Sequence, residues 1–116
     1  MGSVLFVEDE HDLRAMIGAA LQDLGFDVML AEHGKRAMEL LAGNSFKVVV
    51  SDVSMPGGMS GIELAEHVCQ RYPDTRVILV SGHALSQLPQ LPSNASFLPK
   101  PYRFPQIVAL LNAAVA

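Results

Sequence analysis

The chain is poor in cysteine, poor in positive charge and without a long apolar run, and each shortage removes a class of protein. Of 116 residues only Cys69 is a cysteine, so no internal disulfide can form and a reducing cytoplasm is the expected setting. Eight basic residues stand scattered among twelve acidic ones, for a formal net charge of -4. Nucleic-acid binders carry a basic footprint, so nucleic acid is not an expected partner. No segment approaches the roughly 20 consecutive apolar residues of a membrane helix. The amino terminus lacks the basic-then-apolar order of a signal peptide. No internal repeat, low-complexity tract or linker divides the sequence. With half its residues apolar, a chain of this length suits one compact domain over 1–116.

What is present alternates between two periods. Short apolar runs at 4–7, 28–31, 47–51, 76–81 and 96–99 read as strands. They are continuous rather than alternating, as expected where helices cover both faces of a sheet. Between them lie helical stripes. Leu13, Met16, Ile17, Ala20, Leu21 and Leu24 mark a helix from about Asp12 to Leu24, ended by Gly25 as a cap glycine. Lys35 to Leu41 forms a second helix with Ala37, Met38 and Leu41 inward. Ser60 with Glu63 has capping-box spacing and opens a third, whose inner face is Ile62, Ala65, Val68 and Cys69. Arg103 to Val115 forms the last, with Phe104, Ile107, Val108, Leu111 and Val115 on one side. The stretch from Gly82 to Ala95 breaks the rhythm, because Pro89 and Pro92 each oppose a helix interior by about 3 kcal/mol. A helical turn around Ala84 to Leu88 is the most it supports. The pattern is α/β, built from βαβ units on a parallel sheet.

The chemistry-bearing residues stand where the apolar runs end. Glu8 and Asp9 follow the first, Asp52 the third, Ser81 the fourth and Lys100 the fifth. Open α/β sheets bind ligands at the carboxyl ends of their strands. Three acids crowded there repel one another, and a hard dication such as Mg2+, which takes carboxylate oxygens, relieves that conflict. A backbone carbonyl near Ser54 could supply another ligand. Asp52 then has an oxygen to offer to phosphorus, Lys100 a compact cation for a phosphoryl oxygen, and Ser81 a hydrogen bond.

Val7-Glu8-Asp9-Glu10, Asp52 with Met55-Pro56, Ser81-Gly82 and Lys100-Pro101 together resemble the motif set of response-regulator receiver domains, in order and spacing, over nearly the whole chain. The resemblance implies a flavodoxin-like, doubly wound, five-stranded parallel sheet in the order 2-1-3-4-5. It also implies that Asp52 accepts a phosphoryl group from a phosphohistidine of a sensor histidine kinase or phosphotransfer protein. Glu8, Asp9, Asp52 and the Ser54 carbonyl would hold Mg2+, and Ser81 and Lys100 would bind the phosphoryl oxygens. Phe97 falls at the family's switch aromatic, with Ser81 as its partner in the switch, and the Lys100–Pro101 bond at one that is cis.

Three departures qualify the likeness. Glu8 replaces the usual aspartate, a longer arm able to reach metal through a water. Gly57-Gly58 lengthens the loop after Asp52 by one residue, as in receivers of hybrid histidine kinases. The family's fourth helix is short or missing at 82–95, which removes part of the surface used there for dimerisation and output. Two other functions fit parts of the pattern. A Mg2+-dependent phosphatase would need an acid two residues after Asp52, where Ser54 stands. A phosphate-independent protein-interaction module would keep the fold without using the acids. No DNA-binding output domain is expected, since the βα units consume the chain. His83 lies close enough to Ser81 to meet a hydrolytic water, while His11, His33 and His67 read as surface residues.

Overall fold

The computed structural model describes residues 3–55 and 57–115; Pro56, part of the Met55-Pro56 motif, lies outside the described residues. Five strands alternate with helices: β1 (Ser3–Val7), α1 (His11–Asp23), β2 (Asp27–Ala31), α2 (Gly34–Gly43), β3 (Val48–Asp52), α3 (Gly61–Arg71), β4 (Arg76–Ser81), β5 (Ala95–Pro99) and α4 (Phe104–Val115). All neighbouring strands pair in parallel in the order β2-β1-β3-β4-β5. This is the doubly wound sheet that the motifs implied.

Strand side chains alternate between faces, and here both faces are apolar. Val4, Phe6, Val50 and Ile78 pack with Ile17 and Leu21 of α1 and with Ile107 and Leu111 of α4. Leu5, Val7, Val49 and Leu79 pack with Leu40 and Leu41 of α2 and with Leu64 and Val68 of α3. That two-sided burial is why the strand sequences are continuous apolar runs.

The helix ends follow their local chemistry. Gly25, at φ +96°, ends α1. Phe26 N–H reaches Leu21 O at 3.1 Å and Gly25 N–H reaches Gln22 O at 2.9 Å, the paired bonds of a Schellman cap. Ser60 and Glu63 close a full capping box, with Ser60 Oγ accepting Glu63 N–H at 3.1 Å and Glu63 Oε1 accepting Ser60 N–H at 2.9 Å. Helix α2 starts earlier and ends later than its apolar stripe suggests. Its cap is His33, whose Nδ1 accepts Arg36 N–H at 3.1 Å, a role more often filled by Ser, Thr, Asp or Asn.

Some burial expectations fail. Met16 is 61% exposed and Leu24 54% exposed, whereas Gly18 is buried. The helix is rolled so that Gly18 faces Leu30 of β2, where a Cβ would stand 2.9 Å from Leu30 Cδ2. That roll carries Met16 outward, and Leu24 lies past the last turn as the cap residue. Cys69 is half-buried rather than core, with Sγ 3.9 Å from Ser93 Oγ. Phe97, in the apolar run at 96–99, is also half-buried.

Residues 82–94 form a strap in place of a helix. Its one regular piece is a 3-10 turn, Leu85–Gln87, and Leu88 and Leu91 pin it against the α2–α3 face of the core. The prolines act as the sequence indicates. The loop after Asp52 carries Gly57 and Gly58 at φ +89° and +86°, consecutive left-handed positions that favour glycine at both.

Gly61 opens α3 against the exit of β3. A Cβ there would collide with the Asp52 carbonyl oxygen and lie 3.0 Å from Val53 Cα. The obstacle is backbone, which cannot swing aside as a side-chain tip can. Gly61→Ala is therefore expected to cost about 3 kcal/mol, the upper end of the range for overpacking. Gly43→Ala, whose Cβ meets nothing within 4 Å, leaves stability unchanged or slightly raised. Denaturant unfolding of the two variants checks this contrast.

Candidate functional site: an acidic pocket at the strand ends

Because every strand runs the same way, β1, β3, β4 and β5 deliver their carboxyl ends side by side. Asp52 is the last residue of β3 and Ser81 the last of β4; Glu8 and Asp9 leave β1, and Lys100 leaves β5. The crevice between β1 and β3 is the topological switch point of the sheet, since the chain winds outward from there in both directions.

The three acids meet. Glu8, Asp9 and Asp52 each offer one carboxylate oxygen, and these oxygens lie within 4.8 Å of one another. Glu8 and Asp52 are buried and Asp9 is exposed, so the cluster opens to solvent on one side. Lys100 Nζ bonds Asp52 Oδ2 at 2.8 Å, which leaves the second carboxylate oxygen of Asp52 outside the ion pair. The set of oxygen donors suits a hard dication. Glu8, Asp9 and Asp52 are the residues that would hold it.

Backbone bonds fix this geometry. Val53 N–H reaches Val80 O at 2.9 Å, which extends the β3–β4 ladder past Asp52, and Lys100 N–H reaches Ser81 O at 2.8 Å. Ser51 Oγ donates to the Asp52 carbonyl at 2.9 Å. Ser81 Oγ accepts His83 N–H at 2.9 Å, so its own proton is free to be donated. The Lys100–Pro101 peptide is cis, as the resemblance implied. Ser54 is exposed in the loop after Asp52. Phe97 pairs with Leu79 in the β4–β5 ladder. His83 is exposed at the start of the strap.

Electrostatics follow from the crowding. Burial pushes the Glu8 carboxyl above its usual value; Glu10 N–H opposes this, and Asp9 and Asp52 add to the rise while Lys100 counters it. For Lys100, burial pulls downward, but the bond and charge of Asp52, with Glu8 behind, raise the ammonium above its ordinary range. Tyr102 is raised by its own burial and then by the charge of Glu8. The sequence reading passed over Tyr102, whose signal is its place two residues after Lys100. It also passed over Arg14, whose Nη1 donates to the Glu8 carbonyl at 2.8 Å; the signal there is a cation one helical turn beyond the acids.

Known proteins resemble this chain in sequence and fold. The family profile described as response regulator receiver domain matches residues 4–112. The sensor kinase CckA of Brucella abortus is 39% identical over 95% of this chain, which spans 12% of that protein. The receiver protein CpdR of Brucella abortus is 32% identical, over 93% of this chain and 92% of its own length. The structure of TrrA from Thermotoga maritima, solved in complex with Mg(2+)-BeF, superposes with a TM-score of 0.86 at 25% identity, over 98% of this chain and 99% of that one. The chain spans only about a quarter of the NtrX-like and NtrC regulators it also matches. None of the described helices is long and apolar enough to cross a membrane. Profile, relatives and fold agree: the chain belongs to the response regulator receiver domain family of two-component signalling.

Proposed function

We infer that this domain is a Mg2+-dependent phosphorylation switch in which Asp52 takes a phosphoryl group from the phosphohistidine of a sensor histidine kinase or phosphotransfer protein. The observation that carries the reading is the convergence of Glu8, Asp9 and Asp52 beside Lys100. The likeness to TrrA, a protein solved with magnesium and a fluoroberyllate group, supports it. In the transfer, a carboxylate oxygen of Asp52 forms a bond to phosphorus while the phosphorus–nitrogen bond breaks. The imidazole departs and collects a proton from solvent. Bound Mg2+ would offset the negative charge that gathers as donor and acceptor approach.

The chain's own residues supply the rest. Lys100 holds one oxygen of Asp52 at 2.8 Å and thereby orients the nucleophile. Ser81 has a hydroxyl proton to give a phosphoryl oxygen without losing the His83 N–H it accepts. Drawing Ser81 inward pulls the strap with it, and Phe97 on the neighbouring strand is positioned to follow. The Ser54 carbonyl is the fourth candidate metal ligand. The phosphorylated form biases the equilibrium only through contacts that differ between the two states. The reading places the domain in the cytoplasm, with a protein rather than nucleic acid as its downstream target. Kinship with CckA supports the relation to hybrid-kinase receivers that the Gly57-Gly58 loop suggests. With Ser54 where a leaving-group acid would stand, turnover of small phosphate esters is not expected.

Incubation with Mg2+ and a small phosphodonor should add one phosphoryl group by mass spectrometry, lost in Asp52→Asn and absent without Mg2+. Amide NMR shifts on phosphorylation should extend from the strand ends into 82–104. Shifts confined to the pocket would favour a binding module that does not switch.

The pH dependence has a definite sign. Glu8 has a raised folded-state pKa, so its contribution to stability is full below the ordinary value of 4.5 and lost as pH rises through the folded value. Glu8→Gln keeps an oxygen for Glu10 N–H and removes the charge. In metal-free buffer near neutral pH it should be more stable than wild type, with the advantage vanishing in acid. Mg2+ should stabilise the wild type by about 2.7 kcal/mol at a hundredfold excess over Kd, and Glu8→Gln, with one charged ligand fewer, by less at the same concentration. Denaturant unfolding across pH, with and without Mg2+, checks both signs.

A further inference from the structure

The longer acid at position 8 calls for something to hold it in place, and the turn around it contains such a device. Glu8 and Asp9 are adjacent, so one planar peptide unit joins them. The orientation of that plane sets the directions in which the two side chains leave the backbone.

The turn is held at four points. Glu8 N–H continues the sheet by bonding Ala31 O at 3.0 Å. The peptide carbonyl between the two acids accepts Arg14 Nη1 at 2.8 Å. Beyond the plane, Glu10 N–H donates to Glu8 Oε2 at 3.0 Å, folding the glutamate arm back over its own turn and leaving Oε1 outside that bond. Arg14 N–H then bonds Glu10 O at 2.9 Å, so the backbone and the side chain of one residue grip both ends of the acidic turn. Arg14 is half-buried on α1, and its guanidinium is a cationic donor. A charge-assisted bond to a carbonyl is stronger and stiffer than a neutral one.

We propose that Arg14 is a positioning residue for the acidic pocket: it grips the carbonyl of the peptide plane joining Glu8 to Asp9 and so fixes the spacing of two carboxylates for a divalent cation. This rests on the reading of Glu8, Asp9 and Asp52 as Mg2+ ligands. The arrangement also accounts for a glutamate working where a shorter acid is usual, since the extra methylene is taken up by the fold-back onto Glu10. Groups that orient metal ligands commonly alter metal affinity by 10–100-fold when removed, although they never touch the ion.

The test uses the whole chain with Mg2+ alone as the probe. Mg2+ affinity is measured by isothermal titration calorimetry for wild type, Arg14→Met and Arg14→Lys, and the metal-free thermal midpoint of each is recorded separately. Arg14→Met keeps the aliphatic stem and removes the donors, and is expected to weaken Mg2+ binding about tenfold while the protein is still fully folded. Arg14→Lys, whose ammonium can donate to the same carbonyl on a similar reach, should recover part of the loss. In a Glu8→Gln background the Arg14→Met change should have a smaller effect, because one of the two ligands it aligns no longer carries charge. Unchanged Mg2+ affinity in Arg14→Met, with or without an earlier melting point, would make Arg14 a structural brace and overturn the assignment. If Arg14→Met does not fold, Arg14→Lys decides, and wild-type affinity in that variant together with a lower melting point overturns it as well. Failure of the wild type itself to bind Mg2+ would remove the underlying reading of the pocket, a result distinct from these.

Discussion

Three carboxylates confront one ammonium at the end of the sheet, and that imbalance governs the rest of the structure's behaviour. Lys100 answers Asp52 directly at 2.8 Å. With Glu8 ionised, two negative charges remain uncompensated, which is the charge of one divalent cation. Without that cation the burden falls on Glu8, whose burial and acidic neighbours hold its carboxyl above the usual range. Such crowding can be relieved by a proton on Glu8 or by a divalent cation shared among the acids, and in the proposed function the second would leave Asp52 able to act as a nucleophile.

The fold makes such crowding tolerable by fixing the backbone first. The ladder past Asp52, the Ser51 hydroxyl on its carbonyl and the bare Gly61 packed against that same carbonyl leave the acid little freedom to retreat. Side chains that would otherwise splay apart are held close, and the cost is spread over an apolar core on both sides of the sheet. From the same platform the pocket reaches outward along β4. Ser81 is joined both to the β5 exit through Lys100 N–H and to the strap through His83 N–H, so a change at its hydroxyl is felt in both directions. Where the family resemblance implies a helix, this chain carries a strap pinned by Leu88 and Leu91.

Much of this could be read before any coordinates. The apolar runs placed the strands to within a residue or two, because two-sided burial leaves an unambiguous trace. Gly25 and the Ser60–Glu63 pair announced their helix ends because their chemistry is local. The acids, Ser81 and Lys100 were found by their position after apolar runs, which parallel topology converts into proximity. What escaped depends on three-dimensional neighbours. Gly18 looked like a gap in a stripe, yet it turns α1 toward Leu30 and sends Met16 to solvent. Gly61 looked like an ordinary helix start, yet no side chain fits beside Asp52. His33 caps α2 with a ring nitrogen that composition rules would not nominate. Cys69 was placed on the inner face of α3 by its spacing, yet it lies at the edge of that face beside Ser93 of the strap and is half-buried. Arg14 carried no motif, since its role rests on a contact six residues back in the chain.

The central claim is electrostatic, and carbon-detected NMR titration of the Glu8 carboxyl tests it most directly. In metal-free solution the Glu8 resonance should titrate above 4.5, and saturating Mg2+ should move that transition sharply downward. A Glu8 that titrates at or below its ordinary value, unmoved by Mg2+, would mean that the acids do not share one pocket in solution, and the account would be wrong.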